Sequence, residues 1–501
     1  MSSLLALDID RFSPPPPARA QRTTPVRLRP ADRPARDAAP TDRARYEALW
    51  DRPQDPAVRA EARAWLDRQL DAAAALPCDL PEQPSGLAGW MHAGVEKVGA
   101  QYREYLDSRK AGAPRRFFSN RAHALYFLRG VAPTKLVDGS WLYGVLRHWQ
   151  NPRHADLVRT YVEELGDGQP GKNHVLLYRR LLAAHGLEHW RDLPDGHYTQ
   201  GALQLALAAH GEDLLPEVIG FNLGYEQLPL HLLVTAYELN ELGIDPYYFT
   251  LHVTVDNADS GHAQRAVDAV LDAMPRLGDG ANFWRRVRNG YRLNELGAGT
   301  NSVIAGFDIQ AEVERIFARK SGAGRMAHSD YCRVAGRAVN DWLSRPEQVG
   351  DFLAALEDMG WIVRDAPVAG SRFWKLLQGE RAEMFGVFSR YELQVIHDWI
   401  RGPQASADGA PAPGDGEPAV SRRPASFRAQ TRLAAARGLR QPALDTGLDL
   451  DDPDVQELRR RLDAAGDAAQ QGALLVEAMA PAHHWTPMGL YATQRFVALA
   501  G

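Results

Sequence analysis

The sequence predicts an all-α protein, and three observations support that fold class. Apolar residues recur at spacings of three and four through most of the 501 residues. Ala, Leu, Glu and Arg, which favour helices, dominate these stretches. Strand-like alternation is nearly absent between about residues 115 and 320. We therefore predict a helical core with smaller helical segments on both sides of it.

Composition argues against several classes of protein. The net charge is −5, so there is no charge-based case for binding nucleic acid or anionic membranes. The only cysteines, Cys78 and Cys332, exclude a disulfide framework and a cysteine-based zinc or iron–sulfur site. No apolar run approaches the ~18–20 residues of a membrane span. The first ten residues lack a secretory cleavage pattern, so we expect a cytoplasmic protein.

The residue composition changes along the chain, and these changes predict six segments. Residues 325–402 resemble a small helical, winged-helix-like module, with YCRVAGRAVNDWL as a short helix and SRFWKLLQ as a strand or turn. The complete division is a disordered Pro/Arg-rich tail (1–40), a helical N-terminal extension (41–114), a helical core (115–324), the small module (325–402), a Pro/Gly/Ala linker (403–427) and a C-terminal helical segment (428–501).

Within the core, apolar periodicity and prolines predict the helices in order. A first helix should end before Pro133, and the tract from about Glu212 to Leu242 contains Pro216 and Pro229. The remaining predicted helices are Leu136–Trp149, HADLVRTYVEELG, HVLLYRRLLAAHGL, the stretch beginning YYFTLHVTVD, and AQRAVDAVLDAM.

The stretch from Tyr247 to Ala263 sets His252 and Asp256 four residues apart in an apolar, aromatic run. On a helix these side chains lie within about 40° of each other, on the face shared by Tyr248 and Phe249. An isolated ionised carboxylate is costly in an apolar interior, so the pair needs a partner or a metal. A buried His–Asp hydrogen bond and a metal site both satisfy this requirement.

Glu164 and His174 form a second candidate pair, separated by the helix-breaking GDGQPG. Glu164 follows Leu157 and Tyr161 on an apolar face, whereas its neighbour Glu163 is expected to be exposed. A helix–break–helix arrangement would bring Glu164 and His174 together. For each residue alone, a structural role is an open alternative.

Two more carboxylates and two histidines complete the candidates. Glu226 lies on an apolar face beside Pro229, which should kink the helix there. Asp138 begins an apolar helix face and is either a helix cap or a ligand. His231 is a core or outer-shell candidate, and His262 is an outer-shell, substrate-facing or surface residue.

Together these positions supply the donor set of a two-iron carboxylate site. The six proposed ligands are Asp138, Glu164, His174, Glu226, His252 and Asp256. None of the sixteen histidines follows a glutamate by three residues, which excludes a ferritin-like site.

EELGDGQPGKNH, GYEQLP and YYFTLHVTVD, in this order, resemble the heme-oxygenase-like diiron oxidases and oxygenases over roughly residues 115–280. The resemblance implies a seven-helix bundle whose ligand pattern falls on Glu164, His174, Glu226, His252 and Asp256. The family normally has glutamate on its first core helix, and the best-placed residue here is Asp138, which has a shorter side chain.

The resemblance also implies a function. It implies two Fe(II) per chain, O2 as cosubstrate and a small organic substrate that is amino-acid-, amine- or fatty-acid-like. N-oxygenation, desaturation and C–C cleavage are the implied outcomes, with His231 and His262 near the ligands. A homodimer and an external electron donor stay open, as do two alternatives: a metal-free enzyme of the same shape and a non-enzymatic helical interaction protein.

Overall fold

The computed structural model describes residues 39–255, 261–325, 327–329, 331–378, 382–402 and 449–500. Most of the predicted tail, the linker and Asp256 lie outside these ranges. Thr41–Gly501 forms one compact unit. The segment boundaries inside this unit stay predictions.

The described chain is almost entirely helical, which confirms the all-α fold class. The helices of the N-terminal extension and the core are α1 (Asp42–Asp51), α2 (Pro56–Ala74), α3 (Leu87–Lys110), α4 (Arg121–Gly130), α5 (Ala132–Lys135), α6 (Ala155–Glu164), α7 (His174–Ala184), α8 (Thr199–His210), α9 (Leu215–Tyr225), α10 (Leu230–Glu241), α11 (Tyr247–Val255), α12 (His262–Ala273), α13 (Gly280–Arg292), α14 (Thr300–Ala305) and α15 (Ile309–Gly324).

The later helices are shorter, and a small hairpin precedes them. They are α16 (Val339–Leu343), α17 (Val349–Asp358), α18 (Arg372–Leu377), α19 (Arg390–Arg401), α20 (Pro453–Ala464), α21 (Ala468–Ala478) and α22 (Pro487–Ala500). The strands β1 (Arg333–Val334) and β2 (Arg337–Ala338) are antiparallel. Short 3-10 helices cover Pro84–Gly86, Ser140–His148, Pro152–His154, Gly166–Gly168, Asp195–His197, Leu293–Glu295, Pro346–Gln348 and Val368–Gly370. In the described part of the chain, every helix is too short or too polar to cross a membrane.

Two predicted core helices differ from the observed ones. Instead of an α-helix over Leu136–Trp149, the chain turns at Gly139, with φ of 79°, and continues as the 3-10 helix Ser140–His148. A Cβ at Gly139 would lie 2.9 Å from the Cβ of Glu164, so this close approach favours glycine. The predicted kink beside Glu226 is a complete break, because α9 ends at Tyr225 and α10 starts after Pro229.

The small module also differs from the prediction in two places. SRFWKLLQ contains the short helix α18 rather than a strand. The first half of YCRVAGRAVNDWL forms the β1–β2 hairpin rather than a helix. Its two turn residues, Ala335 and Gly336, have φ of 48° and 78°, the left-handed conformation that tight two-residue hairpins require.

The polar candidates lie where two hydrophobic clusters meet. Leu136 belongs to one cluster and the adjoining Val137 to the other, and these are the two residues before Asp138. Leu165, which follows Glu164, packs in the cluster of Val137, and Val175, which follows His174, packs in the cluster of Leu136. The polar candidate side chains therefore lie at the boundary between two apolar clusters.

Candidate metal centre

Two groups of buried ligand-type side chains lie side by side in the core. Asp138, Glu164, His174 and His252 form the first group. Glu164, Glu226 and His262 form the second. In each group the ligand atoms lie within 4.8 Å of one another. Glu164 belongs to both groups, so its two carboxylate oxygens can serve two neighbouring metal positions.

The chain between Glu164 and His174 brings these two residues together. Glu164 is the last residue of α6, and His174 is the first residue of α7. The connection uses positive φ at Gly166 and Gly168, and a Cβ at Gly166 would collide with the backbone of Lys172 and Asn173. His174 Nδ1 consequently lies 2.6 Å from Glu164 Oε2.

His174 also provides a test of whether the donor set fits a metal. Its buried Nδ1 makes no hydrogen bond to any described residue, despite the 2.6 Å approach of the Glu164 oxygen. Two metal-ligand atoms that lie this close without hydrogen-bond geometry can both point at one metal ion. This arrangement, with its buried carboxylates and imidazoles, fits iron.

Two tyrosines hold Asp138 in place. The Tyr225 hydroxyl donates to Oδ1 at 2.9 Å, and the Tyr248 hydroxyl donates to Oδ2 at 2.5 Å. The Lys135 ammonium donates to the Tyr225 oxygen at 2.9 Å and lies 3.8 Å from Asp138 Oδ1. Gly139, and not Asp138, precedes the 3-10 helix Ser140–His148. The interpretation of Asp138 as a helix cap is therefore wrong.

The ring of His252 is oriented by its own helix. Its Nδ1–H donates to the Tyr248 carbonyl at 2.8 Å, one turn earlier in α11. This bond directs Nε2 towards Asp138 Oδ2, 3.4 Å away. Fixing one ring nitrogen as a donor leaves the other available as a ligand atom.

His262 is held between carboxylates in the second group. Its Nε2 donates to Glu163 Oε2 at 2.8 Å, and its Nδ1 faces Glu226 Oε2 at 2.9 Å and Glu164 Oε1 at 3.4 Å. Arg265 also contacts Glu163. A carboxylate on the far nitrogen of an imidazole is the usual support of a metal-ligating histidine.

The electrostatics of the site favour ionised carboxylates. Burial raises the pKa of Asp138, but the Lys135 ammonium and His252 outweigh it and hold that pKa well below its ordinary value. Burial likewise raises the pKa of Glu164, and His174 more than offsets it. For Glu163, contacts to His262 and Arg265 overcome burial and lower the pKa to about 2.

The structure brings most of the predicted ligands together. Asp138, Glu164, His174 and His252 come together, and Glu226 lies beside Glu164. Asp256 lies outside the described residues. His262, for which a surface position was open, is fully buried among ligand-type groups. Glu163, expected to be exposed, is largely buried against His262.

Sequence reasoning missed the groups that support the ligands. Tyr225, Tyr248 and Lys135 surround Asp138 but come from three separate helices. Glu163 was recognisable only as a second acid beside Glu164. Its contact with His262 crosses 99 residues, and no local spacing signals such a contact.

A cavity of about 550 Å³, lined by both polar and apolar side chains, lies beside the first group. His252 and Tyr225 form part of its wall, so a molecule in this cavity would lie beside the proposed ligands. Its other polar lining residues include Thr134, Lys135, Gln200, Gln227, His231 and Asn294. Burial, with Lys135 nearby, lowers the pKa of His231 to about 4, so this imidazole is neutral at pH 7.

Comparison with known proteins agrees with this geometry. Residues 125–295 match the family model described as iron-containing redox enzyme. Searches of curated proteins and of solved structures gave no match. The matched segment includes every residue of both ligand groups. Residues 125–295 therefore belong to the heme-oxygenase-like family of iron-containing redox enzymes.

Proposed function

We propose that this protein is a non-heme diiron oxidase or oxygenase that uses O2 to oxidise a small polar organic substrate. The observation that carries the proposal is the sharing of Glu164 by two adjoining groups of buried ligands. Asp138, His174 and His252 would complete one iron position, and Glu226 and His262 the other. Asp256 stays a proposed ligand from the sequence pattern.

The donor set is suited to two ferrous ions. Asp138, Glu164 and Glu226 contribute three negative charges, and His174, His252 and His262 contribute neutral nitrogen donors. Carboxylates and imidazoles are the ligands that non-heme iron prefers. Two ferrous ions held there would supply electrons for reducing O2 beside a bound substrate.

The chain itself would orient the ligands and limit access of water. Glu163 and the Tyr248 carbonyl fix the rings of His262 and His252, so each presents one nitrogen to the centre. Trp141, Tyr178 and Phe249 are nearly inaccessible to solvent and pack around the ligand-bearing segments. Such a closed apolar surrounding strengthens the electrostatic interactions inside it.

The cavity beside His252 favours some of the substrates that the sequence left open. Amide, hydroxyl, ammonium and imidazole groups lie along its wall, between apolar side chains such as Val131 and Leu232. An alkyl chain would remove these groups from water without giving them partners, which is unfavourable. An amine-like or amino-acid-like substrate can hydrogen-bond to the polar groups while its carbon atoms contact the apolar ones, so we favour this class over a fatty-acid-like one.

The stoichiometry of iron tests the proposal. Protein reconstituted anaerobically with Fe(II) should bind about two irons per chain and consume O2. Glu226→Ala and His262→Ala should each lower the content towards one, because they remove ligands of one position only. Glu164→Ala should affect both positions.

His231→Ala is the matched control, because it removes an imidazole that lines the cavity outside both ligand groups. It should retain both irons. Full iron loading in the Glu226 and His262 variants would contradict the proposed second position. Little or no iron in the wild-type chain would favour a metal-free enzyme or a non-enzymatic protein.

A further inference from the structure

A second cavity lies between the N-terminal extension, the core and the C-terminal segment. Its volume is about 390 Å³. Tyr46 and Trp50 come from α1, Arg179 from α7, and Trp485 from the C-terminal segment. Trp190 adds a fourth aromatic side chain to the wall. Most of this aromatic wall lies outside the segment matched by the family model.

Arg179 is the central charged group of this cavity. Its guanidinium carbon lies 3.6 Å from the ring centroid of Trp485 and 5.9 Å from that of Trp50. In the part of the chain that the structure describes, Arg179 makes neither a hydrogen bond nor an ion pair, and its Nε is buried without a partner. A largely buried guanidinium without an anion is energetically unfavourable, and a bound anion would compensate for this cost.

Two neutral donors line the same cavity. The Tyr46 hydroxyl and the Trp485 indole nitrogen are both buried, and neither has a hydrogen-bond partner among the described residues. Tyr46 as a whole is 2% exposed. Buried polar groups in folded proteins nearly always have partners, so three unsatisfied donors at one cavity indicate a missing acceptor.

The acidic residues near the cavity do not fill this role. Glu47, Asp51 and Glu188 also line it. Glu47 pairs with Arg43 at 3.0 Å rather than with Arg179. Asp51 and Glu188 are exposed, and neither lies within ion-pair distance of Arg179. The second cation, Arg191, also lines the cavity and adds to its positive charge.

The aromatic side chains of the wall indicate the shape of the molecule that carries the anionic group. Tyr46 and Trp50 stack nearly in parallel, with ring centroids 6.2 Å apart, and Trp190 meets Tyr46 edge-on. Leu136 and Leu182 complete an apolar surface. Flat aromatic faces next to a guanidinium suit a planar ligand with a carboxylate.

We propose that this cavity binds a small planar carboxylate, with Arg179 holding the carboxylate and the aromatic side chains holding the planar body. The site is separate from the ligand groups of the proposed iron centre, and binding needs no metal. It lies close to that centre, because Arg179 follows His174 by five residues on α7 and Leu136 precedes Asp138 by two.

Fluorine NMR on the iron-free, full-length chain tests this site. The probes are 4-fluorobenzoate and 5-fluoroindole-3-acetate. The matched controls are 4-fluorobenzamide, which has the ring but no charge, and trifluoroacetate, which has the carboxylate but no ring. Both planar carboxylates should bind, and both matched probes should bind at least tenfold more weakly. Because iron is left out, the result is independent of whether the proposed oxidase activity is correct.

Substitutions assign the binding to the cavity. Arg179→Gln should weaken binding of the planar carboxylates at least tenfold, since it removes a charge-assisted contact. Arg180→Gln is the matched control, because Arg180 is the adjacent exposed arginine and should leave binding unchanged. Tyr46→Phe removes only a hydroxyl and should weaken binding several-fold, which keeps the test valid if Arg179→Gln fails to fold.

Three outcomes would overturn the proposal. They are the absence of binding by either planar carboxylate at millimolar concentration, equal binding of 4-fluorobenzamide, and binding unaffected by both the Arg179 and Tyr46 substitutions.

Discussion

At the scale of single residues, His484 shows how the C-terminal segment contacts the chain next to the candidate metal centre. Its imidazole is 1% exposed and lies beside Asn173, the residue before His174. The Asn173 amide nitrogen lies 3.2 Å from His484 Nδ1, where it can donate to a neutral ring. Burial, together with the nearby charge of Arg179, lowers the pKa of His484 to about 3.

The depressed pKa of His484 predicts a pH-dependent stability. The unfolded chain binds a proton there below about pH 6.5, whereas the folded chain does not until about pH 3. Stability should therefore fall as the pH decreases through this interval. His484 alone should lower the free energy of unfolding by about 2 kcal/mol between pH 7 and pH 5.

Denaturant unfolding of the iron-free chain at both pH values measures this effect. In His484→Gln the pH-dependent loss should be smaller by about 2 kcal/mol, because glutamine does not titrate. His483→Gln, at the adjacent exposed histidine, should behave like the wild type. An unchanged loss in His484→Gln would contradict the assignment.

Much of the candidate site is accessible from sequence at this scale, and the reason is local. Glu164 and His174 flank one glycine-rich break, and Glu226 lies at one proline, so short-range rules place them. His262 could not be assigned, because its buried position depends on α6 and on the end of α9. The sequence placed Tyr248 on an apolar helix face and assigned Tyr225 no role, and only the fold brings both hydroxyls to Asp138.

At the scale of elements, α9 and α13 pack with their backbones in contact. A Cβ at Gly220 in α9 would collide with the Val287 carbonyl, and one at Gly290 in α13 would collide with the Glu217 carbonyl. This reciprocal use of glycine lets the two helices approach closely. It matters for the site because Glu226 directly follows α9.

Gly220→Ala should therefore destabilise the protein, although alanine favours helices. The added methyl group forces the helices apart, and we expect a loss of about 1–3 kcal/mol in the free energy of unfolding. Gly94→Ala is the matched control within α3, where a Cβ would meet no atom within 4 Å. It should stabilise by about 0.5–1 kcal/mol. Equal effects of the two substitutions in urea unfolding would argue against the close helix contact.

Periodicity predicted the existence of the core helices but not the exact form of each element. The Leu136–Trp149 stretch has a helical pattern, yet the contact between Gly139 and Glu164 imposes a turn and a 3-10 helix. Such a contact joins residues 25 positions apart, so no window of sequence contains the cause. The hairpin at Ala335 and Gly336 was missed because its two-residue strands are too short to show alternation.

At the scale of the whole molecule, the C-terminal helices cover the connection between Glu164 and His174. The Tyr161 hydroxyl donates to the Met479 carbonyl at 2.7 Å, and the Gln494 amide donates to the Gly168 carbonyl at 3.1 Å. A Cβ at Gly168 would collide with the Leu490 carbonyl. The segment outside the matched family region thus stabilises the turn that brings two proposed ligands together.

This interface predicts that the C-terminal segment stays bound after the chain is cut. A protease site engineered into the predicted linker (403–427) separates the polypeptide into two pieces. The pieces should co-elute in size-exclusion chromatography at micromolar concentration and retain iron, because apolar helix faces and the Gly168 contact hold them together. The same cut in Gly168→Ala should release the C-terminal piece more readily, since the methyl group displaces α22 and strains a residue with φ of 75°. If the cut wild-type chain lost its C-terminal piece and still kept its full iron content, the C-terminal helices would have no part in holding Glu164 and His174 in place.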